Sequence, residues 1–389
     1  MSYQSKAIIE LAPDLPLENH SITKNSYGRY LEDFQQGSVF EHPRGMTLNQ
    51  GLLHDFATTY LESNPLYLNL EYAKELGYQS IPASPLLVMN IILSLGVQNN
   101  SEKAYANLGY YDMHFLKPVY AGDTLRAYSK IAAVKDRGPG KPGIITLDTT
   151  GINQNNEIVI QYTRKIMVPP RPEGASSSEI SPSSYDPPVA QENPTLQIPT
   201  FSYSTVTQSL TGKSTFYEDF SAQQVVLSPN GRTITDEHFA WTYKVGNTHP
   251  LHFDKLYSQG QTGAMSGDPI VYGGLIFAWL LGLGGRCVSE NSIFDLGYTE
   301  GYHTQPAKSG DTIYVIHRVL SKDPIQSEYG AGPIQFQVIG LKNIKPIAAL
   351  EKYGSDLFIK ENNKKGLGKD KIPEKIFEIE RRLLIRSRG

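Results

Sequence analysis

The chain repeats itself, and that repeat limits its fold more than any other feature of the sequence. Tyr30-Leu31-Glu32-Asp33-Phe34 returns as Tyr217-Glu218-Asp219-Phe220, with Asp33 and Asp219 186 positions apart. Gly45-Met46-Thr47 returns as Gly231-Arg232-Thr233 at the same spacing, and Pro65-Leu66 as Pro250-Leu251 at 185. Asn107-Leu108-Gly109-Tyr110 and Asp295-Leu296-Gly297-Tyr298 lie 188 apart, as do Pro118 with Gly122-Asp123-Thr124 and Pro306 with Gly310-Asp311-Thr312. Five anchors in one order identify a duplicated domain, since the period is far longer than the 20–50 residues of a solenoid. The expected boundaries are 26–168 for the first copy and 201–389 for the second. Between them, 169–200 is rich in Pro, Ser and Glu and reads as an extended linker.

A chain of 389 residues is long enough for two cores, and 39% hydrophobic residues are enough to fill them. The net charge of −3 gives no case for nucleic acid or an anionic membrane. The single cysteine, Cys287, excludes an internal disulfide and a cysteine-based zinc site. The longest apolar stretch, Leu275 to Leu283, is far short of the ~20 residues needed to cross a bilayer. The start of the chain lacks the apolar core of a secretory signal, so a cytoplasmic location is expected.

Each copy has the same order of elements. A helical segment (Thr47 to Tyr60, or Thr233 to Val245) precedes a loop holding Pro65 or Pro250. A short helix follows, then a segment apolar on all sides (Leu86 to Val97, or Leu275 to Leu283), which must be buried. Thr124 to Val134 and Thr312 to Leu320 alternate as strands do. Ile144 to Ile152 and Glu157 to Val168 bracket the hairpin signal Asn155-Asn156. Ile334 to Leu341, Ser355 to Lys360 and Ile376 to Ile385 are further expected strands, and Lys360 to Lys371 an expected surface loop. An antiparallel sheet wrapped around a buried helix, twice over, is an α+β chain of two tandem hot-dog domains.

The densest chemistry is Gly246-Asn247-Thr248-His249-Pro250-Leu251-His252-Phe253-Asp254. It resembles the Asp-x-Asn-Pro-Leu-His signature of the MaoC-like (R)-specific enoyl-CoA hydratase family. Pro269-Ile270-Val271-Tyr272-Gly273-Gly274-Leu275 resembles that family's Pro-Ile-Val-His-Gly-Met-Leu, which opens the buried helix. The segment from Tyr298 through Pro306 to Thr312 fits the next strand. The three motifs occur in the family's order, and the resemblance covers most of both copies. It implies a hydro-lyase that adds water to, or removes it from, an acyl-CoA thioester, without cofactor or metal. The family's histidine and aspartate, which hold and polarise the water, fall on His252 and Asn247. An imidazole can exchange a proton at both steps, whereas an amide can only orient water. The Asn-Thr-x-x-x-His setting resembles the mesaconyl-CoA hydratase (β-methylmalyl-CoA dehydratase) subgroup, which implies a branched dicarboxylic acyl group. Backbone N–H groups at Gly273 and Gly274 would receive the thioester oxygen.

The first copy carries Glu62, Tyr67 and Pro85 at the matching places. A phenol is a poor base at neutral pH and proline removes an N–H donor, so this copy is expected to have kept packing and lost chemistry. Glu62 is a candidate helper acid. Arg164, Lys165, Arg286 and Arg318 are candidate neighbours of CoA phosphates, although each also reads as a solvated charge. Two competing functions remain open at this point: a hot-dog thioesterase, which would need a carboxylate on Leu275 to Leu283, and a non-catalytic acyl-CoA binder. A monomer and a homodimer are both compatible with covalently joined modules.

Overall fold

The structure, a computed structural model, describes residues 27–175, 177, 181–184, 188, 196–200, 210–212 and 214–388. Much of the expected linker and the expected boundary at 201 lie outside the described residues. The described end of that linker is not free of the fold, because Leu196 and Ile198 pack on the core and the Gln197 N–H donates to Leu116 O at 3.0 Å.

The first copy begins with β1 (Val39–Glu41) and β2 (Met46–Thr47). Helix α1 (Gln50–Thr59) is started by Asn49, whose side chain accepts from Leu52 N, satisfying an N–H that the helix itself cannot. Helix α2 (Leu70–Glu75) and the buried α3 (Pro85–Leu95) follow, α3 with Pro85 in its first turn, where no N–H is needed. Four long strands complete the copy: β3 (Ala106–Phe115), β4 (Thr124–Lys135), β5 (Gly143–Ile152) and β6 (Ile158–Val168). Asn156 turns β5 into β6 at φ 60°. The second copy repeats this with β7 (Val225–Leu227), β8 (Arg232–Thr233), α4 (Glu237–Lys244), α5 (Lys255–Gln259) and the buried α6 (Gly273–Val288). Its strands are β9 (Ser292–His303), β10 (Thr312–Lys322), β11 (Ala331–Lys342) and, after α7 (Pro346–Tyr353) and α8 (Glu361–Lys364), β12 (Lys375–Arg386).

Among the described residues twelve strands form one antiparallel sheet, in the order β1-β4-β5-β6-β3-β9-β12-β11-β10-β7 with β2 on β4 and β8 on β10. The seam is β3 against β9, where Tyr110 faces Gly301 and His114 faces Gly297. This explains the repeated Leu-Gly-Tyr anchor: Gly297 has φ 125°, and a Cβ there would overlap the Met113 carbonyl across the seam. Helices α3 and α6 lie in the concavity against each other, joined where Asn90 Nδ2 donates to Gly274 O at 3.1 Å. The architecture is a double hot-dog.

Two expectations fail near the end of the chain. Ser355 to Lys360 is no strand: Gly354, at φ 51°, ends α7 and leads into a 3-10 turn, Gly354–Phe358. Leu357 fills a cluster with Ile316, Ile339 and Ile372, while Ser355 faces solvent and Asp356, half-buried, pairs with Lys369. The insertion at Lys360 is also more than a surface loop. It opens with α8, whose Glu361 and Lys364 are buried and ion-paired at 2.8 Å, beside Lys375 paired with Glu378 at 2.7 Å. A compensated cluster of this kind leaves no hydropathy signal.

Buried histidines give the fold a pH dependence. Burial pushes His42, His238 and His317 down to about 3, 4 and 3. Unfolded histidine titrates near ~6.5, so below that value the unfolded chain binds protons that the fold refuses. The stability conferred by neutrality is complete above about pH 6.5 and is lost as the pH falls toward 4, at about 2 kcal/mol per histidine by pH 5. The expected result is a Tm that falls steadily from pH 7 to pH 5. A flat profile over that window would contradict the neutral burial of these rings.

Candidate active site

A cavity of about 220 Å³ opens between the copies, walled by the His252 loop, the start of α6 and the end of β9 on one side. Leu93, Val97, Tyr110, Arg164 and Ile166 of the first copy form the other side.

The loop is rigid for local reasons. Gly246 turns out of α4 at φ 86°, a conformation that costs glycine little. Asn247 Oδ1 accepts the His249 N–H at 2.9 Å, which fixes the amide with its NH₂ edge as the remaining donor. Asn247 is 1% exposed and lines the cavity. Both nitrogens of His249 are committed to the main chain: Nδ1 accepts from Leu251 N and Nε2 donates to Ala104 O, each at 3.2 Å. Asp254 caps α5 by accepting from Tyr257 N. The first copy grips the loop further, through Glu102 on Thr248 Oγ1 at 2.6 Å and Arg44 on Gly246 O at 3.1 Å.

His252 lines the cavity beside Tyr272, with ring centroids 5.4 Å apart. Its Nδ1 lies 3.1 Å from Ile270 O. A carbonyl can only accept, so Nδ1 carries the hydrogen and Nε2 presents its lone pair. Among the described residues, no side chain or carbonyl engages Nε2. Burial, and then the neighbouring His249, push the ring down to about 3, so the imidazole is neutral at pH 7. His303 is likewise neutral, pushed by burial to about 4, with Nε2 3.2 Å from the Tyr110 hydroxyl.

The two glycines differ. Gly273 lines the cavity, and a Cβ there would sit 2.6 Å from His303. Its N–H is in the first turn of the 16-residue α6, where no intrahelical acceptor exists. Gly274 lies outside the lining, and a Cβ on it would overlap Asn90 Oδ1 and crowd Tyr272. Its glycine is required by helix packing.

Glu62 is not brought to this cavity. It lines a second pocket, shrunk to about 20 Å³, with Tyr67, Pro85, Asp295 and Arg381. There its Oε1 accepts the Ser63 and Asn64 N–H groups at 3.0 Å, and burial raises its pKa. The two pockets are pseudo-symmetric, Tyr67 in one standing where His252 stands in the other. The sequence reading overlooked His303, Tyr110 and Asn107, and treated Arg164 only as a candidate phosphate neighbour. A comparison of the copies would have flagged two of these, since His303 falls on Phe115 and Asn107 on Asp295. Among the described residues, no group of three or more His, Cys, Asp or Glu is placed to hold a metal ion, and no helix is long and apolar enough to cross a membrane.

Comparison with known proteins places the chain in a family and supports its fold. The chain is 29% identical over 324 residues to β-methylmalyl-CoA dehydratase of Chloroflexus aurantiacus, covering 82% of this chain and 90% of that protein. It is 27% identical over 326 residues to mesaconyl-CoA hydratase of Cereibacter sphaeroides, covering 82% and 91%. The crystal structure of a MaoC domain protein from Chloroflexus aurantiacus superposes with a TM-score of 0.79 at 26% identity, covering 94% of this chain and 100% of that one. A Mycobacterium tuberculosis protein with a double hot-dog fold, 19% identical, gives 0.68 over 92% of this chain and 98% of its own and supports the fold. A sequence model of mesaconyl-CoA hydratase matches residues 17–348. The chain belongs to the mesaconyl-CoA hydratase family.

Proposed function

We propose that this chain interconverts mesaconyl-CoA and β-methylmalyl-CoA, with His252 as the proton-transferring group in the second copy, 201–389, and the first copy, 26–168, forming the far wall of the acyl cavity. Membership of the family makes the chain a hydro-lyase acting on CoA thioesters. The observation that carries the assignment of the base is the neutral imidazole pinned at Nδ1 by Ile270 O, in the same cavity as the start of α6.

In the hydration direction His252 Nε2 takes a proton from water while the water oxygen bonds to Cβ. The π electrons move to the thioester oxygen, where the Gly273 N–H and the positive end of α6 stabilise them. The proton then passes from Nε2 to Cα, so water is split across the double bond with no net redox change. Burial keeps the imidazole neutral at pH 7, so Nε2 begins the step with its lone pair free, and the enolate charge that forms beside the imidazolium stabilises it. Asn247, with its NH₂ edge facing the cavity, orients the water and leaves the proton to His252. Both walls come from one chain, so a homodimer, if formed, need not complete the site; a cytoplasmic setting belongs to the same proposal.

The test is purified protein with mesaconyl-CoA, followed by loss of enoyl-thioester absorbance. Saturable turnover without release of CoA thiol is expected. Thiol release would favour a thioesterase, and tight binding without turnover a non-catalytic binder.

A further inference from the structure

The pseudo-symmetry of the two pockets exposes a charge difference. In the shrunken pocket Arg381 is buried and fully compensated: its Nε donates to Asp295 Oδ2 at 2.9 Å, with Glu62 lining the same space. Arg381 is the β12 residue opposite Tyr298, and Arg164 is the β6 residue opposite Tyr110, the matching tyrosine of the repeat. The two arginines are therefore counterparts. Around Arg164, however, both acids have become amides: Asn107 stands for Asp295 and Asn247 for Glu62. The backbone roles are unchanged. Asn107 Oδ1 accepts from Gly109 N at 3.3 Å as Asp295 Oδ1 accepts from Gly297 N at 3.1 Å. Asn247 accepts from His249 N as Glu62 accepts from Asn64 N. In both cases only the anionic half of the side chain has been removed.

Arg164 is consequently a buried cation, 5% exposed, on the wall of the larger cavity. Among the described residues it makes one hydrogen bond, Nη2 to Ser101 Oγ at 3.2 Å, no carboxylate pairs with it, and its Nε is buried without a partner. An uncompensated charge in such a place is costly unless a ligand supplies the anion. A guanidinium matches a carboxylate in a two-pronged fashion, and the Asn107 amide, which also turns toward the Tyr110 hydroxyl, has a second N–H as a further donor on the same wall.

We propose that Arg164 and Asn107 form a subsite for a carboxylate at the far end of the acyl chain, and that Asn247 keeps the cavity free of a competing negative charge. This selects dicarboxylic over monocarboxylic acyl thioesters. It rests on the acyl-CoA reading of the cavity, but its test does not require turnover.

The experiment is calorimetric binding of succinyl-CoA and butyryl-CoA, saturated thioesters of equal chain length that differ by a carboxylate in place of a methyl group. Wild-type protein should bind succinyl-CoA roughly 30-fold or more tightly, as expected for an anion meeting a buried cation. Arg164→Gln should abolish the preference. Asn107→Asp, which recreates the Asp295–Arg381 pair without added bulk, should abolish or reverse it even if Arg164→Gln fails to fold. Equal binding by wild type, or a preference kept in both variants, would overturn the subsite. So would equal weakening of both ligands by Arg164→Gln, which would instead assign the guanidinium to the CoA phosphates. A preference for succinyl-CoA in a protein that does not hydrate mesaconyl-CoA would leave the subsite standing and refute the proposed reaction.

Discussion

His252→Ala is expected to lower kcat for hydration about 10²- to 10⁴-fold, the span associated with losing a positioned general acid–base group. The loss should fall on kcat more than on KM. The imidazole's advantage arises when the water proton is in transit, and the ground-state thioester gains little from it. Stability should change little, because the ring lines a cavity and its one hydrogen bond, to Ile270 O, is on its far side from the lone pair. The check is steady-state kinetics on wild type and variant with circular dichroism on both. A variant with wild-type turnover would show that another group moves the proton, and His303, neutral in the same cavity, would be the next candidate.

The second large effect is on stability, at the other pocket. Asp295 is buried and serves three donors: Arg381 Nε at 2.9 Å, the Tyr298 hydroxyl at 2.9 Å and Gly297 N at 3.1 Å. Asp295→Ala strips the counter-ion from a buried guanidinium, a change that costs about 3–5 kcal/mol in comparable pairs. Urea unfolding should report a loss of that size. The double variant Asp295→Ala, Arg381→Met should recover part of it, since the uncompensated guanidinium is gone and only Glu62, held by the Ser63 and Asn64 N–H groups, stays in the pocket. A loss below about 1 kcal/mol in the single variant would mean that Arg381 finds water or another acceptor. The same comparison separates the two arginines of the repeat: one is part of the folding core, the other faces a space built for a ligand.

The duplication and both buried helices were legible because they rest on strong local signals, namely repeated turn residues and runs such as Leu275 to Leu283 that are apolar on every side. The His252 loop was legible because its spacing survives as a motif. What escaped was chemistry created by pairing across the sheet. His303 and Tyr110 come from β9 and β3, and nothing in either strand's alternation marks the residue that will face a cavity between copies. Arg164 sits in a strand of ordinary β pattern, and only the register that aligns it with Tyr110, and Arg381 with Tyr298, shows the two to be equivalent. Glu62 looked like a helper because its loop matches the His252 loop. The fold places matching loops in different pockets, so similarity in sequence meant separation in space. The misread strand at Ser355 failed for a local reason, a left-handed Gly354 that stops α7 and redirects the chain.

The most direct test of the account is a crystal structure of the His252→Ala protein with mesaconyl-CoA bound. The Cα–Cβ bond should lie beside position 252, the thioester oxygen at the Gly273 N–H and the acyl chain toward the first-copy wall. An acyl group lodged in the Tyr67 pocket, or a thioester lying outside the cavity with only the nucleotide ordered, would contradict it.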